Sequence, residues 1–124
     1  EAKYDIRMVG HSGTGPEAEK LVEWTKPPRS ELERLQIAKR MEAHAQFCYP
    51  GDHTLEGTKR AIAEIVKHAA DERLVLVVSD ADLQRYNINV QDWNKIITQE
   101  PSVRTYIVLI SNNADEAERI KKTI

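Results

Sequence analysis

The stretch Leu74-Val75-Leu76-Val77-Val78-Ser79-Asp80 decides the fold class of this chain. Its first part is apolar without alternation, which is typical of a strand covered on both faces in a parallel sheet. Val103 to Ile110 is a second strand segment, rich in β-branched and aromatic residues, and Tyr4 to Val9 is a third, followed by glycine. Lys20 to Thr25 is weaker and fits either a short edge strand or a helical turn.

Helix start signals lie between these strands. Ser30-x-x-Glu33 is a capping box, and Asn89 precedes another helix with an acidic residue in its first turn. Leu55 to Ala69 and the segment from Asn113 to Ile124 have apolar residues at helical spacing. Strands that alternate with helices pair in parallel through right-handed crossovers. We therefore predict an α/β domain with a doubly wound, mostly parallel sheet.

Composition limits the possible functions. The chain has 124 residues, the size of one domain, and 20 acidic against 18 basic residues give a net charge of -2. No basic stripe indicates a nucleic-acid partner, and no apolar run is long enough for a membrane span. A lone cysteine, Cys48, excludes an internal disulfide and favours an intracellular reducing compartment.

The loop Gly10-His11-Ser12-Gly13-Thr14-Gly15 invites enzyme interpretations that its spacing does not support. No Gly-Lys-Ser/Thr follows to bind phosphates, and the glycine spacing is wrong for a dinucleotide fingerprint. A hydrolase elbow around Ser12 needs glycine where Thr14 stands. All histidines also precede Asp80, against the chain order of such hydrolases. We predict that the chain is not an enzyme by itself.

Metal binding has two possible donor sets in this sequence. His44 and Cys48 are four residues apart on one helix, a spacing compatible with zinc, but Cys48 continues an apolar stripe and suits a buried structural role better. Thr54 and Asp80 offer oxygen, the donor that Mg²⁺, Ca²⁺ or Mn²⁺ prefers. Both have simpler interpretations, because Thr54 can cap the helix it precedes and Asp80 can cap a turn.

Two motifs resemble those of the von Willebrand factor A (VWA) domain family. Leu74 to Asp80 looks like the strand that ends in Thr/Ser-Asp-Gly, and Gly51-Asp52-His53-Thr54-Leu55-Glu56-Gly57 looks like the Gly-Gly-Thr-x-x-Gly loop. The resemblance implies a metal-ion-dependent adhesion site with Thr54 as a direct ligand and Asp80 acting through water. Further candidates, which orient the ligands or form the rim, are Ser12, Asp52, His53 and Ser79.

The resemblance narrows to the VWA domain of a family of large mitochondrial AAA+ ATPases. The segments that carry it are YDIRMVGHSGTGP, AHAQFCYPGDHTLEGT and SDADLQRYNI. The family's Asp-x-Ser-x-Ser motif is absent and would lie upstream of Glu1, together with the first, central strand. Residues 1–124 are therefore expected to be the carboxyl-terminal two-thirds of a VWA domain.

The implied function is a binding module that uses Mg²⁺, or another divalent cation. The resemblance implies a protein partner that offers an acidic residue to the metal, or the AAA+ modules of the same polypeptide, and a mitochondrial location. The Asp92-Trp93 helix and the His11 loop are expected to flank the site. The alternative is a structural α/β interaction domain that needs no metal.

Overall fold

In the computed structural model, the described residues are 3–51, 53–80 and 89–110, with 118, 121 and 122. The chain divides into two compact units, Glu1–His53 and Thr54–Ile124. The predicted last helix lies outside the described residues except for 118, 121 and 122. The elements of the two units are β1 (Met8–Ser12), β2 (Gly15–Val22) and α1 (Glu31–Phe47), then α2 (Thr54–Ile65), β3 (Leu74–Ser79), α3 (Val90–Thr98) and β4 (Arg104–Leu109).

The second unit is a parallel β-α-β arrangement preceded by a helix. β3 and β4 pair in parallel from Leu74 opposite Arg104 to Ser79 opposite Leu109. The Asn89 side chain accepts a hydrogen bond from the Gln91 N–H at 2.9 Å, which confirms the predicted cap of α3. The strand at β3, its parallel pairing with β4 and the α/β class are as the sequence predicts.

The core of this unit lies on one face of β3. Buried side chains from α2, β3, α3 and the start of β4 meet there: Ile62, Val75, Val77, Trp93 and Val103. Partly buried residues such as Leu55, Ile65, Ile96 and Ile97 pack around them. Both helices of the unit therefore cover the same face of the sheet.

The other face of β3 and β4 corrects the prediction of a strand buried on both sides. Its side chains are between 45% and 64% exposed: Leu74, Leu76, Val78, Tyr106, Val108 and Ile110. Although the sequence of β3 is apolar throughout, burial alternates along the strand, and only every second residue is buried. In the described part of the chain the strands form two two-stranded sheets, so a doubly wound sheet is not confirmed.

The first unit is built on a hairpin, where the sequence predicted a parallel strand. β1 begins at Met8, later than the predicted segment at Tyr4, and pairs antiparallel with β2. The turn is Gly13-Thr14, with Ser12 opposite Gly15. Because the turn joins the two strands directly, no crossover helix lies between them and parallel pairing is excluded.

Helix α1 has the predicted start but not the predicted packing. The Ser30 hydroxyl accepts from the Glu33 N–H at 3.2 Å, and the Glu33 carboxylate accepts from the Ser30 N–H at 3.1 Å. None of the helix's side chains is buried. The apolar stripe lies in solvent, with Leu35 51% exposed, and Cys48 is exposed as well. The buried structural role predicted for Cys48 is therefore wrong.

The capping box gives α1 a predicted pH dependence. Hydrogen bonds from the Arg29 and Ser30 N–H groups lower the pKa of the Glu33 carboxyl below its ordinary value of 4.5. A carboxyl whose pKa is lowered in the folded state stabilises that state at pH values above its ordinary pKa. This contribution is lost as the pH falls through the lowered pKa of the folded state. We expect acid titration followed by circular dichroism to show a loss of helix in this range that Glu33→Gln removes. Glu42→Gln, in the middle of the same helix, is the control, and identical titration curves for both variants would contradict the prediction.

A second prediction concerns the strained turn after β2. Thr25 has a φ of 62°, which is unfavourable for a β-branched residue. Its N–H donates to the Asp5 carboxylate at 2.8 Å, which holds the turn in place. Thr25→Gly should raise the free energy of unfolding by about 1 kcal/mol, because glycine adopts this conformation without strain. Chemical denaturation measures it, and Lys26→Gly, where φ is not positive, should give no gain.

Candidate functional site

Thr54 is the first residue of α2 and one of its buried side chains. It is 1% exposed, and its carbonyl oxygen accepts a hydrogen bond from the Thr58 hydroxyl at 2.7 Å. Thr58, one turn later on the same face of the helix, is 3% exposed. The helix therefore has two buried threonines near its beginning. Thr54 is its first residue, and Thr58 lies one turn further along.

Ser79 and Asp80 stand where β3 ends. Ser79 continues the covered face of Val75 and Val77 and is 6% exposed. Its carbonyl oxygen accepts from the Ile110 N–H at 2.8 Å, which extends the ladder to the last residue of the strand. Asp80 follows directly and is exposed. The strand therefore ends with a buried hydroxyl followed by an exposed carboxylate.

The packing of α2 on β3 brings Thr54 towards the same end of the sheet. The Arg73 side chain donates to the His68 carbonyl at 3.0 Å, so the turn after α2 lies beside the start of β3. A twelve-residue helix is about 18 Å long, and a six-residue strand is about 20 Å long. Because α2 shares its core with β3, its first residue lies towards the edge at which β3 ends. We call this the carboxyl edge of the second unit.

The donor chemistry of the carboxyl edge fits a hard cation in part. Thr54, Ser79 and Asp80 carry only oxygen donors, which Mg²⁺ and Ca²⁺ prefer. Mg²⁺ needs six ligands, so these residues alone do not complete its shell. Across the described ranges of the chain, no group of three or more histidine, cysteine, aspartate or glutamate residues is placed to hold a metal ion. The described residues therefore offer oxygen donors at this edge and include no such cluster.

The predicted rim residues fall in different places. Ser12 is 2% exposed, and its hydroxyl lies 2.7 Å from the Thr14 hydroxyl and accepts from the Thr14 N–H, so it closes the hairpin turn. His53 is partly buried and ends the first unit, and Asp52 lies outside the described residues. Trp93 is 0% exposed at the centre of the core. The flanking role of its helix stays a prediction. The rim roles of Ser12, Asp52, His53 and Ser79 stay predictions.

A cleft in the first unit was not predicted from the sequence. It has a volume of about 440 Å³ and lies between the hairpin and α1, with Ser12, Glu19, Arg40, His44 and Tyr49 in its lining. The His44 Nε2 atom is 3.2 Å from the His11 carbonyl oxygen. The zinc interpretation of His44 with Cys48 is thus replaced by a contact between helix and hairpin. The signal for this contact in the sequence was the long polar side chains in the middle of α1. Such side chains can reach backbone carbonyl groups of the hairpin, as Arg40 does.

Comparison with known proteins shows that the chain is similar to a protein of the mouse. The chain is 44% identical, over all of its 124 residues, to von Willebrand factor A domain-containing protein 8 of the mouse (Mus musculus). No family model and no solved structure matches it. The relation expected from the sequence motifs is confirmed, and the homology supports a VWA-like domain. The chain spans 6% of the length of that relative. Among the described helices, none is long and apolar enough to cross a membrane.

The attachment of α1 to the hairpin gives a third prediction. The Arg40 guanidinium donates to the carbonyl oxygens of Lys20 and Leu21 at 2.9 and 2.7 Å, and lies 3.5 Å from the Glu19 carboxylate. Arg40→Met should lower the free energy of unfolding by about 1 kcal/mol, since two charge-assisted hydrogen bonds of a half-exposed side chain are lost. Urea denaturation measures it. The neighbouring change Lys39→Met is the control, and equal effects of the two variants would contradict this role of Arg40.

Proposed function

We propose that this chain is a VWA-type interaction module that binds a divalent cation at the carboxyl edge, with Thr54 as a direct ligand and Asp80 acting through a bound water. The observation that carries the proposal is the buried Thr54 at the start of α2, packed on a strand that ends in Ser79 and Asp80. The relation to a VWA domain-containing protein supports the same function. The chain is not an enzyme by itself in this proposal.

The chemistry of the edge suits Mg²⁺, with Ca²⁺ or Mn²⁺ as substitutes. Mg²⁺ keeps several waters when few protein oxygens bind it, which agrees with a carboxylate that acts through water. The cation supplies an open coordination position for an anionic group. In this proposal Ser79, which is buried and directly precedes the exposed Asp80, orients that carboxylate. The module thus recognises its partner by a ligand exchange that breaks no covalent bond.

The site requires oxygen ligands beyond Thr54 and Asp80. We propose that an Asp-x-Ser-x-Ser motif outside these 124 residues supplies them, and that a central strand from the same region completes a doubly wound sheet. The uncovered apolar face of β3 and β4 supports this view, because parallel sheets are normally covered on both faces. The chain would then form the carboxyl-terminal two-thirds of the domain.

The partner is a protein that offers an acidic side chain to the cation, or the AAA+ modules of the same polypeptide. ATP hydrolysis would belong to those modules, and the location would be mitochondrial. These proposals concern the whole protein, and they follow from the resemblance of the motifs. The mouse relative is matched over 6% of its length.

The fourth prediction is a dependence of stability on magnesium. A ligand that binds only the folded state adds about 2.7 kcal/mol at one hundred times its Kd. In a protein that includes the proposed Asp-x-Ser-x-Ser motif, Mg²⁺ should therefore raise the melting temperature by several degrees. Asp80→Ala and Thr54→Val should remove this shift. Thr58→Val is the matched control, because it deletes a buried hydroxyl one turn further along α2 and should keep the shift.

The alternative function is an interaction domain that needs no metal. It would be favoured by a melting temperature that divalent cations leave unchanged, together with partner binding that survives Asp80→Ala. Loss of the magnesium shift in Thr58→Val as well as in Thr54→Val would assign both threonines a role in packing alone. Either result would contradict the proposed adhesion site.

A further inference from the structure

The cleft between α1 and the hairpin has walls that are fixed by contacts at its border. The Arg40 guanidinium donates to the carbonyl oxygens of Lys20 and Leu21. The His44 ring lies against the hairpin backbone, because a Cβ atom on Gly10 would be only 2.8 Å from it. The helix is thus attached to the hairpin at two positions one turn apart. The cleft beside them is a formed feature of the first unit.

The cleft is open because small side chains line both of its walls. Ala18 of β2 and Ala43 of α1 face it from the two sides. Arg40, Ala43, His44 and Phe47 follow one another at spacings of three and four, so they share the face of α1 that borders the hairpin. None of these helix side chains is buried. The volume of about 440 Å³ is in the range of clefts that bind small molecules, and it can take an aromatic side chain.

Two aromatic side chains lie at the border of this cleft without filling it. Phe47 is 81% exposed and Tyr49 is 70% exposed, although both belong to the lining. Aromatic side chains are among those that contribute most to protein interfaces once they are buried. One surface of the first unit therefore carries an exposed ring and a recess side by side.

The charges that line the cleft compensate each other. The Glu19 carboxylate lies 3.5 Å from the Arg40 guanidinium, and the His44 Nε2 atom is 3.2 Å from the His11 carbonyl oxygen. A twofold axis places a surface opposite its own copy, so a patch with an excess of one charge would repel itself. With one carboxylate and one guanidinium, this patch has no such excess. It also offers no excess of positive charge to an anionic ligand such as phosphate.

We propose that the cleft is an interface between two copies of this chain, in which Phe47 of each copy occupies the cleft of the other between Ala18 and Ala43. In a twofold contact both copies use the same patch, which requires a projection and a recess on one surface. The contact is small compared with a permanent interface, so the dimer is weak and forms at micromolar to millimolar concentration. It uses residues of the first unit only and does not depend on the proposed metal site.

The fifth prediction is a concentration-dependent dimer that requires this patch. Sedimentation equilibrium of the chain, from about 10 μM to about 1 mM, should show a monomer–dimer equilibrium. Phe47→Ser removes the exposed ring and Ala43→Leu fills the recess, so each should raise the dissociation constant at least about tenfold. Leu32→Ser is the matched control, because it removes another exposed apolar side chain of α1 outside the cleft. It should change the constant less than about twofold.

Cys48 reports on the same contact without any substitution. Its thiol is exposed and lines the cleft, so the dimer covers it. The rate constant for alkylation of Cys48 by N-ethylmaleimide should fall in proportion to the fraction of dimer as the chain concentration rises. Ala43→Leu should remove this dependence on concentration. If Phe47→Ser does not fold, as circular dichroism would show, Ala43→Leu and the protection of Cys48 still decide the outcome.

Three results would overturn the proposal. The first is a chain that stays monomeric over the whole concentration range. The second is a dimer whose dissociation constant is the same in Phe47→Ser, Ala43→Leu and the unchanged chain. The third is a dimer in which Cys48 reacts as fast as it does in the monomer. In the last two cases the copies associate through another surface, such as the uncovered face of β3 and β4.

Discussion

Burial of one face of β3 against α2 and α3 is the interaction on which the second unit depends. Val75 and Val77 lie in a common core with Ile62 and the fully buried Trp93. Each such side chain contributes roughly 1.5–3 kcal/mol when it is removed from water, so a few of them decide whether the helices stay on the sheet. The same packing buries Thr54 and Ser79, and Asp80 remains in solvent at the end of the strand. The candidate site is thus a consequence of the core, because its hydroxyl groups continue the buried face.

The first unit is held together by a different kind of contact. Its long helix α1 buries no side chain and begins with a capping box. Polar and backbone contacts attach it to the hairpin: Arg40 to two carbonyl groups, His44 to the His11 carbonyl, and Gly13 to Tyr49. Hydrogen bonds of this kind are individually weak, about 1 kcal/mol each. The attachment of α1 therefore depends on several weak polar contacts, whereas the second unit has an apolar core.

Local signals in the sequence predicted the parts of the fold that depend on local chemistry. The capping box at Ser30, the cap at Asn89 and the strand at β3 follow from a few neighbouring residues. The pairing of β1 was not predictable in this way, because Tyr4 to Val9 has the composition of a buried strand, while a two-residue turn at Gly13 decides an antiparallel partner. The predicted burial of Cys48 was also wrong, since periodicity shows which residues share a face but not whether anything covers that face. The candidate ligands Thr54 and Asp80 were found by motif resemblance. The hydrogen bond from the Gly13 N–H to the Tyr49 carbonyl oxygen was not predictable, because it joins segments that no local pattern relates.

The central claim is that a divalent cation binds where β3 ends, beside Thr54 and Asp80. Paramagnetic Mn²⁺ tests it most directly, because it broadens the NMR signals of nuclei near its binding site. In a protein that includes the proposed Asp-x-Ser-x-Ser motif, we expect selective broadening of the backbone amides of Thr54, Ser79 and Asp80 at low Mn²⁺ concentration, reversed by excess Mg²⁺. The amide of Leu74, at the opposite end of β3, should broaden less. Broadening centred on His44 and Cys48, or no selective broadening in the second unit, would contradict it.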